Sequence, residues 1–140
     1  MYIRGANINE NTNEGMTALM YAGIKGHLEM IKYLVEKGAY VHVKTNSGKS
    51  ILLLASQAGH LEVVKYLVEK GANVNDKDNE GSTVLSWACY KGHFEVVRYL
   101  IMKSANVHVK DNKGRTALSL ANSEGHSEVV SYLKSYGAVE

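Results

Sequence analysis

Residues 48–71 read GKSILLLASQAGHLEVVKYLVEKG, and the rest of the chain is built on this stretch. Ser50 is a good helix N-cap, and it opens a short run rich in Ala and Leu that ends before Gly59-His60. Beyond that pair, Leu61, Val64, Leu67 and Val68 fall at helical spacing. Glu62 sits in the first turn, where a carboxylate favours the positive end of the helix dipole. Lys70 stands near the end, and Gly71 supplies a left-handed stop. The stretch therefore predicts two short helices joined by a tight loop.

The same words return every 33 residues. Gly26-His27, Gly59-His60, Gly92-His93 and Gly125-His126 mark the interhelix loops, and the segments after them are near copies. Thr17, Ser50, Thr83 and Thr116 form a column of caps, each two residues after Gly15, Gly48, Gly81 or Gly114. Alanine repeats in the same frame at positions 22, 55, 88 and 121. Twelve of the 13 glycines fall into three columns, with Gly23 left over. A chance composition cannot hold several registers in one period, so the chain is a repeat array. Between units run short polar segments such as Asn73 to Gly81, which turn the chain back to the next first helix. A helix pair this small cannot bury its own apolar face and must stack on its neighbours.

A 33-residue unit of turn plus two helices, with these words in this order, resembles the ankyrin repeat. The family pattern runs roughly D-x-x-G-x-T-P-L-H-x-A, then G-H-L-E-V-V-x-L-L, then G-A-D-V-N. The resemblance covers the whole chain. It implies an α-rich solenoid of stacked helix–turn–helix units joined by β-hairpin-like loops. Units are expected at 12–44, 45–77, 78–110 and 111–140, with 1–11 as the tail and hairpin of an earlier, partial one. Met1 then falls within a second helix, so the chain reads as trimmed or as an array with an incomplete first unit. At the other end Ser127 and Lys134 replace apolar residues of the other copies, which is the pattern of a C-terminal cap. The family's T-P-L-H becomes TALM, SILL, TVLS and TALS, losing the proline four times and with it the histidine that bonds the threonine. Ser104 stands where the other copies carry the stop glycine, which strains that turn if it is left-handed.

Composition narrows the function. At 45% hydrophobic and 21% charged, the chain is globular rather than disordered. A net charge of +2 announces neither nucleic acid nor an anionic membrane. Cys89 stands alone, so there is no internal disulfide and no thiolate metal site; this fits a reducing, intracellular and most simply cytoplasmic setting. Gly48-Lys49-Ser50 imitates the tail of a phosphate-binding loop, but Val43 occupies the place of its first glycine. His27, His60, His93 and His126 share one structural column, where family members use the ring to bond loop backbone. His42 and His108, two units apart on hairpins, cannot share a zinc ion. No nucleophile–base pair stands out, so the chain is expected to be non-enzymatic, with no cofactor and no metal. The tyrosines at 33, 66, 99 and 132 read first as packing on the second helices, with a partner helix on the convex side as the minor reading. Asn75 is similar to the asparagine that a eukaryotic hydroxylase modifies in many ankyrin repeats, although a turn-forming role accounts for it.

The resemblance places the partner surface on the concave groove made by the hairpin tips and the exposed side of each first helix. The hairpins contribute Asn13, Glu14 and Met16; Asn46, Ser47 and Lys49; Asn79, Glu80 and Ser82; and Asn112, Lys113 and Arg115. First helices contribute Ile24 and Lys25, Gln57 and Ala58, Tyr90 and Lys91, and Ser123 and Glu124. Copies agree where the scaffold needs them to and differ here. Because binding hot spots favour Trp, Tyr and Arg, Tyr90 and Arg115 lead, with Met16 and Ile24 as an apolar pair. Trp87 shares a column with Tyr21, Leu54 and Leu120, which favours core packing over contact. The expected function is a monomeric scaffold that binds another protein, alone or as the recruiting module of a larger effector or enzyme. The alternative is anion or nucleic-acid binding along a ladder of Lys44, Lys77 and Lys110 with Lys49, Lys113 and Arg115. Interleaved Asp76, Asp78, Glu80, Asp111 and Glu14 favour a solvated rim instead.

Overall fold

The computed structural model describes residues 7–139. Among them are eight helices in four pairs: α1 (Ala18–Lys25) with α2 (Leu28–Glu36), α3 (Ile51–Ala58) with α4 (Leu61–Glu69), α5 (Val84–Lys91) with α6 (Phe94–Met102), and α7 (Ala117–Ser123) with α8 (Ser127–Ser135). The first helices stack α1 on α3, α3 on α5 and α5 on α7, and each packs against its own partner, while the second-helix row touches more sparsely. This is the expected α-rich solenoid. Of the partial unit expected at 1–11, residues 1–6 lie outside the described residues. Asn9 ties the remainder down by accepting a hydrogen bond from the Tyr40 amide at 2.7 Å.

Each first helix starts where the cap column predicts. The side chains of Thr17, Ser50, Thr83 and Thr116 accept from the amides of Met20, Leu53, Ser86 and Ser119, which satisfies donors that a helix start leaves open. The missing histidine is partly replaced. Ser86 and Ser119 occupy its position, and their hydroxyls donate to the carbonyls of Thr83 and Thr116 at 2.9 and 3.0 Å.

Second helices begin at the histidine column, whose rings do not cap their own helix. They reach back one unit instead: Nε2 of His60, His93 and His126 lies 2.8, 2.9 and 3.0 Å from the carbonyl oxygens of Ile24, Gln57 and Tyr90. A carbonyl only accepts, so Nε2 carries the proton and donates. Glycine makes room for each ring, since a Cβ on Gly59 would lie 2.6 Å from the His93 ring.

The core is a continuous cluster between the two rows, with Leu19, Leu53, Leu85 and Leu118 from the inner row and Ile31, Leu67, Leu100 and Leu133 from the outer one, all essentially sealed. The left-over Gly23 has a packing reason: a Cβ there would sit 2.8 Å from Cγ1 of Ile51. Its column continues as Ser56, Cys89 and Asn122, and the facing column as Ile51, Val84 and Ala117. One column grows as the other shrinks, so the summed volume of the facing residues changes less than either column does. Cys89 is fully buried in this seam and desolvation pushes its thiol far above the ordinary range, so it is inert.

Hairpins add a second inter-unit bond. Asn46, Asn79 and Asn112 donate through Nδ2 to the carbonyls of Asn13, Asn46 and Asn79 at 2.6, 3.0 and 3.3 Å. Their backbone amides donate to Glu14, Ser47 and Glu80 of the preceding hairpin. Asn75 likewise accepts from the Asn106 amide of the next unit at 2.8 Å, an inter-unit bond rather than the turn-forming role expected of it.

Two left-handed positions test these contacts. Gly59 and Gly71 have φ of +83° and +96°, but a Cβ on Gly71 meets nothing within 4 Å. Both alanine variants carry backbone strain, and only Gly59→Ala also displaces the His93 ring; chemical denaturation should show it to be the worse by about 1–3 kcal/mol. Ser104 is the one non-glycine with positive φ among the described residues, at 72°. Ser104→Gly should therefore raise stability by about 1 kcal/mol in the same assay.

Candidate partner-binding surface

The inner helix row and the hairpins together form one face, and the site residues on it are set by three columns. Tyr21, Leu54, Trp87 and Leu120 run along the middle of the first helices; Ile24, Gln57, Tyr90 and Ser123 run one turn further; Met16, Lys49, Ser82 and Arg115 run along the hairpin returns. In the last column a small serine stands between two long cations. Room opens there. A depression of about 140 Å³ lies between the third and fourth pairs, lined by Glu80, Ser82, Ser86, Trp87, Tyr90, Arg115 and Leu120.

Its walls are fixed by named bonds. Trp87 is half-buried, and its Nε1–H donates to Oδ2 of Asp78 at 3.0 Å. The rings of Trp87 and Tyr90 meet edge to face, with centroids 5.8 Å apart and planes at 89°, a favoured arrangement of two aromatic quadrupoles. The Tyr90 carbonyl is held by His126 of the next pair. Lys49 lays its ammonium 4.3 Å from the centre of the Trp87 ring and donates to Gln57 Oε1 at 3.1 Å. Lys91 lies 5.7 Å over the Tyr90 ring. Lys49, Gln57, Ser82, Trp87, Tyr90, Lys91 and Arg115 thus fall into one patch.

The remaining expected residues lie apart from it. Met16 lines a shallower depression of about 310 Å³ with Lys49 and Leu54, near the first hairpins. Ile24 is half-buried against the core, and Lys25 lies with Tyr21 at the N-terminal end of the stack. Ser123 and Glu124 are exposed at the far end, where the Ser123 hydroxyl donates to its own helix at Leu120. Two sequence expectations need revision. Ser82 is only 5% exposed, because its backbone closes the hairpin with Asp78, so it is floor rather than tip. Trp87 does not choose between core and contact: it packs on the core cluster and still walls the depression. Sequence reasoning passed over Ser86, Leu120 and Tyr21, the last of which is 47% exposed at the N-terminal end of the middle column. Tyr21's company in Trp87's column was the available signal.

Half of the basic ladder is engaged within the chain, and Lys77, Lys110 and Lys113 stay exposed. Lys44 pairs with Asp76 at 2.7 Å, Lys49 is committed to Trp87, and Arg115 Nε bonds Asp111 Oδ2 at 2.8 Å. Among the described residues no group of three or more His, Cys, Asp or Glu could hold a metal ion.

Asp111 is the electrostatic anchor of the Arg115 side. Its Oδ1 accepts the amides of Lys113 and Arg115, each at 2.9 Å, while Oδ2 takes the guanidinium. Burial on its own raises this carboxyl's pKa; the two donors of Arg115 and the amide of Lys113 outweigh it and hold the value below the ordinary carboxylate range. A depressed native pKa stabilises the fold above the unfolded value near 4, and that contribution is lost as pH falls through the native value. Asp111→Asn keeps an acceptor but removes the charge. It should cost about 1 kcal/mol at neutral pH, since the pair is partly screened, and the gap to wild type should close in strong acid when denaturation is followed against pH.

Comparison with known sequences agrees with the geometry. No curated protein matches the chain significantly. The family model described as ankyrin repeats in three copies matches residues 1–78 and 75–139. With nearly the whole length matched and the stacked helix pairs in place, the chain belongs to the ankyrin repeat family.

Proposed function

We propose that the chain is a protein-binding scaffold whose units, divided at 12–44, 45–77, 78–110 and 111–140, hold a partner on the concave face. The recognition centre is the Trp87–Tyr90–Arg115 depression, and Met16, Ile24, Lys25, Ser123 and Glu124 are outlying contacts. Ankyrin repeats generally mediate protein–protein interaction. The observation that carries the assignment is one half-buried Trp, one Tyr and one Arg around a single depression, the three residue types that dominate binding hot spots. Bonds to Asp78, His126 and Asp111 hold these groups before any partner arrives. Pre-ordering of this kind lowers the entropic cost of association.

Recognition rather than catalysis is the chemistry this surface supports, in a monomer working in an intracellular, reducing compartment. No helix among the described residues is long and apolar enough to cross a membrane. The pairing of Lys44 with Asp76 and of Lys49 with Trp87 breaks the continuity of an anion or nucleic-acid strip along the hairpins.

Affinity purification with mass spectrometry should compare wild type with Trp87→Ala/Tyr90→Ala and with an outer-face control, Tyr33→Ala/Tyr66→Ala. A partner confirmed by titration should bind the groove variant at least ~30-fold more weakly and the control normally. Trp87 is the chain's single tryptophan, so binding to wild type should also change its emission. Loss on the outer face alone, or unaltered binding by the groove variant, overturns the assignment.

A further inference from the structure

Resting on that reading of the groove, the partner's chemistry can be taken one step further. We propose that the depression between the third and fourth helix pairs takes one aromatic or branched aliphatic side chain of an extended partner segment, and that Arg115 beside it takes a carboxylate from a neighbouring residue of that segment.

Size comes first. A cavity of about 150 Å³ accommodates a benzene ring, and this depression, at about 140 Å³, sets Trp87, Tyr90 and Leu120 against the polar Glu80, Ser82, Ser86 and Arg115. It has room for a single ring or branched side chain and not for two. Because Arg115 lines the same depression, the carboxylate must come from a residue within one or two positions of the inserted one, at ~3.3 Å per extended residue.

Charge selects an acid over a base. Asp78 and Asp111 are turned inward: each accepts two backbone amides through Oδ1 and a side-chain donor through Oδ2. Arg115 and Glu80 line the depression itself, and Lys49 and Lys91 stand beside it over the Trp87 and Tyr90 rings. Both rings already carry an ammonium group of the chain itself, Lys49 on Trp87 and Lys91 on Tyr90. An incoming cation would have to compete with them for the ring faces. Arg115 is also suited by geometry. Its Nε edge is pinned to Asp111, its side chain is 43% exposed, and a guanidinium so fixed offers its Nη donors without first losing rotamer freedom.

The test uses short random peptides displayed and selected against the intact wild-type protein. Enriched peptides should carry an aromatic or branched aliphatic residue with Asp or Glu within two positions. For a synthetic peptide of that kind, Arg115→Gln should weaken binding roughly tenfold or more. Glu80→Gln, which removes the opposing carboxylate, should tighten it a few-fold. Both effects should vanish when the acidic residue of the peptide is replaced by its amide, a readout that a merely structural role for Arg115 would not move. Circular dichroism confirms that each variant is folded. If enriched peptides lose affinity with Trp87→Ala/Tyr90→Ala but lack the acid, or respond to Arg115→Gln equally in acid and amide forms, the subsite is overturned and the groove assignment stands. Peptides indifferent to the Trp87→Ala/Tyr90→Ala variant overturn both, and a selection without enrichment counts against the subsite.

Discussion

The glycine–histidine staple sets the spacing on which the rest of the array depends. A histidine at the start of each later second helix reaches into the preceding unit and donates to a carbonyl at the end of that unit's first helix. The contact exists because the residue two places after that carbonyl is a glycine in a left-handed conformation, with no Cβ where the ring lies. One dipeptide therefore serves two interfaces: its glycine receives the ring of the next unit, and its histidine enters the unit before. Hydrophobic contact alone is non-directional and would leave the first helices free to slide. The staple, together with the asparagine bonds across the hairpin tips, fixes the register.

That arrangement explains why the scaffold was legible in the sequence. Each unit meets the same neighbour through the same groups, so a residue needed at one interface is needed at the next, and identity across copies marks structure. The rule was under-used at the hairpin tips. Asn13, Asn46, Asn79 and Asn112 agree in all four copies, and the later three are bonded across units, so they belong with the scaffold rather than among the variable contacts. Where copies differ, the reading was weaker, since a position that varies can be either free or selected. Trp87 shows the limit. Its column suggested packing, and the ring does pack, but it is too large to be covered by the space its smaller relatives Leu54 and Leu120 fill, so one edge stays at the surface.

Charge was legible only as a list. From sequence the basic residues of the hairpins make a ladder, because 33-residue spacing stacks them in register. Partners settle what each cation does, and those partners lie a unit away or across the same hairpin: Asp76 for Lys44, Trp87 for Lys49, Asp111 for Arg115. Periodicity predicts which residues stand in line, but pairing depends on side-chain reach, and no column records it. A surface that counts as basic can therefore carry fewer uncommitted cations than its sequence suggests.

The same logic locates specificity. A perfectly regular array presents a uniform groove, in which any segment that fits one unit fits the next one register along. Along the hairpin returns this array places one small residue, Ser82, between Lys49 and Arg115, and the gap it leaves is bounded by the one tryptophan. A depression made by omission costs the scaffold little, because Ser82 still closes its hairpin through backbone bonds that its side chain does not need. Each wall is tied to an inter-unit or hairpin contact: Trp87 to Asp78, Arg115 to Asp111, and the backbone of Tyr90 to His126. Recognition and stability therefore share the same bonds. The last pair is part of the site even where it touches no ligand, because without His126 the Tyr90 carbonyl loses the donor that holds it.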